Sequence, residues 1–146
     1  MSDPLDAYIA VLENFDAAAL DQLTANLTDD VRFRDPFHDV TGPAAFRTVF
    51  SDMLEKLDDI RFTVESRAWC APRGDRRIAL IRWQLDARLN AFGGRPWQVI
   101  GCSELHFAGD GRLAAHVDYW DAAGGLYELL PAIGPVFRWL RRRMQA

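Results

Sequence analysis

Apolar residues recur at the spacing of an α-helix in three segments of the first sixty residues. Asp3 followed by Pro4 is typical of a helix start, and the apolar positions behind it are Leu5, Tyr8, Ile9 and Leu12. A second helix is predicted to begin behind Asp16 and to end at Asp29-Asp30, with its apolar side formed by Leu20, Leu23 and Leu27. A third is predicted to open at Thr41-Gly42-Pro43 and has the widest stripe, formed by Phe46, Val49, Phe50, Met53, Leu54 and Leu57.

Alternating apolar and polar residues predict strands in the rest of the chain. The segment VRFRDPF predicts a short strand in which Val31, Phe33 and Asp35 share one side, and Pro36 ends its ladder. Four further strands are predicted at 60–70, 77–91, 97–107 and 112–121, with turn-forming residues between them. Because connections this short join antiparallel neighbours, the four strands predict an antiparallel meander.

Helices followed by a meander indicate an α+β fold rather than alternating βαβ units. The length of 146 residues suits one domain, so we expect residues 1–146 to form a single domain with a helical C-terminal extension at 122–146. A sheet that covers a wide helix curves over it. We therefore expect a cone whose concave side holds the core and, near its open end, a pocket.

Composition narrows the class of partner. Aromatic residues make up 12% of the chain, and large flat side chains serve both dense cores and apolar pockets. The net charge is −4 although Arg138, Arg141, Arg142 and Arg143 crowd the C-terminus, so nucleic acid is not an expected partner.

Cys70 and Cys102 lack metal-like spacing and are expected to be separate, reduced core residues of a cytoplasmic protein. The first ten residues do not have the pattern of a signal peptide, and no apolar stretch approaches the length of a membrane span.

Two single residues stand out as candidates for chemistry. Asp35 places a carboxylate on the apolar side of its strand, where partial desolvation favours a proton acceptor; the alternative is a strand-end aspartate that caps the turn through Pro36 and Phe37. Tyr8 lies on the apolar face of the first helix. Its hydroxyl can satisfy one partner in the core or donate to a developing oxyanion.

The last predicted strand carries a third candidate group. His116, Asp118 and Trp120 share one side of it and project together from one sheet face. If that face is concave, an imidazole–carboxylate pair lies in the pocket beside a stacking surface; if it is convex, the same residues form a surface or a subunit interface. We favour the concave placement, which keeps Trp120 out of water.

The remaining pocket candidates are aromatic or small. Ser103 is the polar residue on the apolar side of its strand, whereas Glu104 and His106 point the other way as a solvated or interface pair. The three histidines lack the spacing of a zinc site, so no metal is expected. The predicted pocket walls are Phe33, Phe37, Phe50, Trp83, Trp97 and Trp120.

The chain resembles the NTF2-like superfamily, and within it the SnoaL-like and ketosteroid-isomerase-like branch, from about Leu5 to Asp121. The resemblance places Tyr8 where these isomerases carry an oxyanion donor and Asp35 on their general base. It also gives His116 and Asp118, in HVDYWD, the positions of catalytic residues in SnoaL-like cyclases. The turn FAGDGR is similar to their last hairpin. One departure is Ser103, which stands where isomerases carry a protonated aspartic acid.

These observations leave three hypotheses. The first is an isomerase- or cyclase-type enzyme that abstracts a proton next to the carbonyl of an apolar compound, without a cofactor. The second is a non-catalytic binder of a lipid-like or aromatic molecule, and the third is an interaction module; we expect a homodimer. The basic, apolar tail is predicted to pack over the pocket mouth or on a partner subunit, with an anionic membrane surface as the alternative and no stable insertion.

Overall fold

Three helices form at the predicted starts. The computed structural model describes residues 2–145, and its first helices are α1 (Pro4–Glu13), α2 (Ala17–Ala25) and α3 (Pro43–Lys56). The Asp3 carboxylate accepts a hydrogen bond from the Leu5 amide at 2.9 Å, and Asp16 accepts one from the Ala19 amide at 2.8 Å. Both aspartates therefore cap helices, as the sequence predicted.

Two helices end earlier than predicted. Helix α2 stops at Ala25, and Leu27 already belongs to a strand, where it pairs with Leu113. The prediction that this helix runs to Asp29-Asp30 is wrong. Leu27 faces the core from a strand, and its apolar character alone does not distinguish a strand from a helix. Leu57 likewise takes extended dihedral angles and opens a strand instead of closing the stripe of α3.

The sheet has six strands among the described residues. They are β1 (Leu27–Arg34), β2 (Asp39–Thr41), β3 (Leu57–Trp69), β4 (Arg77–Leu89), β5 (Arg95–Phe107) and β6 (Leu113–Trp120). Their order is β2-β1-β6-β5-β4-β3. The predicted meander is therefore the β3-β4-β5-β6 part, and the short VRFRDPF strand extends it by pairing in parallel with β6. This mixed α+β architecture agrees with the predicted fold class.

The core lies between the helices and one face of the sheet. Its most deeply buried large side chains come from α3, β1 and the last three strands: Phe46, Val31, Ile81, Leu105, Phe107 and Leu113. The opposite, convex face is partly exposed and mixes polar residues with the apolar side chains of Leu80, Ile100 and Tyr119. Cys102 lies on that convex face and Cys70 lies beyond the end of β3, so both cysteines are free but exposed, and the prediction that they are core residues is wrong.

The C-terminal segment forms two short helices after β6. They are α4 (Ala122–Gly125) and α5 (Gly134–Gln145), and a single turn of 3₁₀ helix lies between them at Tyr127–Leu129. Asp121 caps α4 through the Gly124 amide at 2.9 Å. Among residues 2–145, no helix combines the length and the apolar character that crossing a bilayer requires.

Candidate active site

A cavity of about 410 Å³ opens between α3 and the concave face of the sheet. Most of its walls are apolar, and the volume suits a small organic molecule. Ten of the eleven side chains predicted as site residues line it. They are Phe33, Asp35, Phe37, Phe50, Trp83, Trp97, Ser103, His116, Asp118 and Trp120.

The eleventh, Tyr8, lies behind the wall. Its hydroxyl is 2.7 Å from Nδ1 of His116, and its side chain instead borders an open groove between α1, α2 and the β5–β6 turn. The ring of His116 thus separates the phenol from the cavity. A direct hydrogen bond from Tyr8 to a substrate oxyanion, which the family resemblance implies, does not fit this arrangement.

Four side chains form a hydrogen-bonded network with two branches, and both branches end on Asp118. Ser103 Oγ lies 2.5 Å and His116 Nε2 lies 2.7 Å from the same carboxylate oxygen, Oδ1. Trp83 Nε1 donates to Ser103 Oγ at 2.8 Å, and Tyr8 approaches His116 from the other side. The second oxygen of Asp118, Oδ2, takes no hydrogen bond from the described residues, and this side chain is at the cavity wall.

The donors in this network have a single consistent direction. An ionised carboxylate only accepts, so Nε2 of His116 carries the proton that points to Asp118. Nδ1 is then an acceptor and takes the hydroxyl proton of Tyr8. The serine hydroxyl likewise donates to Asp118 and accepts from the indole of Trp83. With an ionised Asp118, every proton of the network is therefore directed toward this one carboxylate.

The electrostatics of Tyr8 support this direction. Burial raises the pKa of the Tyr8 hydroxyl well above its ordinary value, and the nearby negative charge of Asp118 raises it further. The phenol therefore stays protonated and serves as a donor. A tyrosinate here would face an uncompensated cost of burial.

Strand register explains why these residues meet. Ser103 pairs directly with Asp118 across β5 and β6, and His116 pairs with Phe33 across β6 and β1. Gly101 pairs with Trp83, and a Cβ atom at that glycine would lie 2.6 Å from the indole ring. The glycine thus leaves the space that lets Trp83 lie across β5 and reach Ser103.

A second imidazole–carboxylate pair lines the same cavity. Asp35 Oδ1 accepts from the amides of Phe37 and His38 at 2.8 and 2.6 Å, and His38 Nδ1 lies 2.9 Å from the same oxygen. Asp35 therefore caps the turn, the alternative that the sequence left open, and it also fixes the ring of His38. The sequence analysis did not select His38; its signal was the spacing of three residues from Asp35 across the turn at Pro36.

Phe33 lies between the two pairs. Its ring centroid is 6.4 Å from that of His38 and 5.2 Å from that of His116. Glu104 and His106 form their own hydrogen bond at 2.6 Å, and neither residue lines the cavity. In the described part of the chain, no group of three or more His, Cys, Asp or Glu side chains is arranged to hold a metal ion.

The mouth of the cavity is aromatic. The exposed ring of Phe37 lies 5.5 Å from Trp120 and 6.0 Å from Tyr127, measured between centroids. Trp97 Nε1 donates to the Gly125 carbonyl at 2.6 Å, which ties α4 to β5 beside this opening. The first part of the tail borders the cavity through Leu126, whereas no residue of α5 lines it.

The cone-shaped arrangement of helices on a curved sheet defines the NTF2-like class of fold. A structure of an NTF2-like protein from Exiguobacterium sp. 255-15 matches with a TM-score of 0.66 at 19% identity, covering 81% of this chain and 98% of that one. A Mycobacterium tuberculosis LEH-like epoxide hydrolase matches at 0.61 and 19%, covering 92% and 90% of the two chains. SalBIII, an epoxide hydrolase/cyclase-like enzyme in pyran ring formation in salinomycin, matches at 0.63 and 12%, covering 80% and 86%.

The sequence identifies the family more closely. The model of the SnoaL-like domain matches residues 5–116, so the chain belongs to the SnoaL-like family. The suspected resemblance is thereby confirmed. No curated protein matches the sequence significantly.

Proposed function

We propose that the protein is an acid–base enzyme of the isomerase or cyclase type, which moves a proton next to the carbonyl group of a small, largely apolar molecule. The observation that carries the proposal is Asp118 Oδ2, a carboxylate oxygen without a hydrogen bond from the described residues, at the wall of a largely apolar cavity. SnoaL-like family membership supports the same class of reaction, as do the structural neighbours described as an epoxide hydrolase and an epoxide hydrolase/cyclase-like enzyme.

Asp118 is the proposed base. Its Oδ1 is held by Ser103 and His116, so the carboxylate cannot turn away, and Oδ2 is left to accept a substrate proton. Apolar walls strengthen this interaction because only 16% of the Asp118 side chain is exposed to solvent. Tyr8 takes part only through His116, by holding its tautomer.

His38 is the proposed second group, with Asp35 positioning it. The Nδ1 atom of His38 faces the Asp35 carboxylate and donates to it, so Nε2 of the neutral ring has a lone pair that can take up a proton, and only the imidazolium form can donate from Nε2 to a developing oxyanion or return the proton. This division of roles differs from the one implied by the family resemblance, where Asp35 is the base and Tyr8 the oxyanion donor. Oδ2 takes no hydrogen bond from the described residues in either carboxylate, and we assign Asp35 to positioning because its Oδ1 accepts both amides of the turn and holds His38.

The test is hydrogen exchange on 2-tetralone, a bicyclic ketone with acidic hydrogens at C1, followed by NMR in D₂O. The wild-type protein is expected to accelerate loss of the C1 hydrogen signals, and Asp118→Asn to lower that rate about a hundredfold or more. Asp35→Asn and His38→Gln should each lower it less. Asp75→Asn, an exposed turn residue with no part in the cavity, is the matched control and should leave the rate unchanged.

The alternative is a non-catalytic binder, which the apolar walls would serve equally well. In that case 2-tetralone would shift cavity resonances without faster exchange, and Asp118→Asn would not reduce binding more than tenfold. Exchange that survives Asp118→Asn but not Asp35→Asn would instead restore Asp35 as the base.

A further inference from the structure

Helix α5 presents an apolar face that no described residue covers. Met144 is 81% exposed, Val136 60% and Trp139 55%, and Leu140 and Ile133, which lies just before the helix, are also exposed. These positions recur every three or four residues, so they line one side of the helix. Half of the exposed large apolar side chains among the described residues lie in this one segment.

The opposite side of α5 holds the helix to the body. Phe137 packs on Tyr127 with ring centroids 5.1 Å apart, and Arg141 Nε lies 2.9 Å from a carboxylate oxygen of Glu128. Arg138 donates to the backbone carbonyl of Glu128. The helix is therefore anchored along one side, and its apolar face points away from the anchor.

Positive charge accompanies this face. Arg142 and Arg143 form no ion pair with any acidic side chain of residues 2–145. The four arginines of α5 contrast with the rest of the chain, which carries about −8 once they are removed from the net charge of −4. Any surface that attracts α5 ahead of the rest of the molecule is therefore anionic.

The position of Arg143 distinguishes a lipid from a protein partner. It lies four residues after Trp139 and seven after Val136, which places a guanidinium group within the apolar face itself. A protein interface would have to bury and pair that charge. At a lipid surface, the side chain can extend to the phosphate layer while its stem stays in contact with apolar groups.

We propose that α5 docks this protein on an anionic lipid surface, reversibly and without crossing it. The docked face is Val136, Trp139, Leu140 and Met144, and Arg142 and Arg143 contact the headgroups. A ring-to-ring path from Phe137 through Tyr127 to Phe37 joins α5 to the cavity mouth. Docking therefore brings the opening close to the place where apolar molecules accumulate. The proposal does not depend on any chemistry inside the cavity.

The test is co-sedimentation of the full chain with sucrose-loaded vesicles. We expect binding to phosphatidylcholine vesicles that contain about 30% phosphatidylglycerol, weaker binding to pure phosphatidylcholine, and loss of binding at about 0.5 M salt. Trp139→Ala should lower the partition coefficient about tenfold. Arg142→Gln with Arg143→Gln should lower it roughly 30-fold.

Matched controls change exposed residues elsewhere. Tyr119→Ala removes an aromatic side chain of similar exposure from the convex sheet face, and Arg34→Gln with Arg61→Gln removes the same charge; neither should alter the partition coefficient. The proposal is overturned if wild-type protein stays in the supernatant with anionic vesicles, or if the controls lose as much binding as the α5 variants. It is equally overturned if Trp139→Ala dissolves a concentration-dependent dimer in sedimentation velocity while vesicles have no effect, because a second copy would then cover this face.

Discussion

The hydrogen bond between Tyr8 and His116 makes a sharp prediction about stability. Tyr8→Phe keeps the ring and its packing but removes the proton that Nδ1 of His116 accepts at 2.7 Å. Both side chains are buried, so no bulk water can replace the hydroxyl. The variant leaves a buried acceptor without a partner while creating almost no new space.

The magnitude follows from the cost of an unsatisfied buried polar group. That cost is about 1–3 kcal/mol, so we expect Tyr8→Phe to lower the free energy of unfolding by this amount. Domains are commonly stable by only about 5–15 kcal/mol, so the loss is measurable as a shift of the urea midpoint at unchanged slope.

The control is Tyr119→Phe, since the Tyr119 side chain is largely exposed on the convex face of the sheet. We expect it to change the free energy of unfolding by less than about 0.5 kcal/mol. The reasoning is refuted if Tyr8→Phe is as stable as the wild type within that margin. Such a result would mean that the hydrogen bond between the phenol and His116 makes no net contribution to stability.

Three further predictions concern the same region. Because the pKa of Tyr8 is raised in the folded state, this tyrosine ionises at lower pH in the unfolded chain. The stability that the pKa difference contributes is complete below pH 10 and declines above it. Between pH 9 and 11 the wild type should lose about 1.4 kcal/mol more stability than Tyr8→Phe in urea titrations. Gly101→Ala should destabilise by about 1–3 kcal/mol, because its Cβ meets Trp83 at 2.6 Å, whereas Gly109→Ala, in open space, should be near neutral in thermal melts. Trp97→Phe removes the hydrogen bond to Gly125, so amide exchange across residues 122–126 should accelerate while that of β4 stays unchanged.

Most of the helices and strands could be predicted from patterns within short segments of the sequence. The caps Asp3 and Asp16, the wide stripe of α3 and the alternation in β4 and β5 act over a few residues and are readable from the chain. The parallel pairing of β1 with β6 was not predicted, because it joins residues about eighty positions apart and depends on packing between distant segments. The prediction of the end of α2 was wrong for a similar reason, since an apolar residue such as Leu27 fits the core from a helix or from a strand.

The candidate site was predicted as a set of residues but not as a network. Side-chain parity placed His116, Asp118 and Ser103 on one face, and the structure brings them into contact. Parity does not show which atom each residue faces. The sequence therefore placed Tyr8 at the substrate and overlooked His38, although the first lies behind His116 and the second lines the cavity.

The most direct test of the central claim is a crystal structure of the complex with 2-naphthol, the stable aromatic counterpart of the enol of 2-tetralone. The account predicts that the ligand occupies the cavity between Phe33 and Trp120, with its C1 atom within about 3.5 Å of Asp118 Oδ2. A ligand that sits outside the cavity, or whose C1 atom lies against Asp35 while Asp118 contacts nothing, would contradict it.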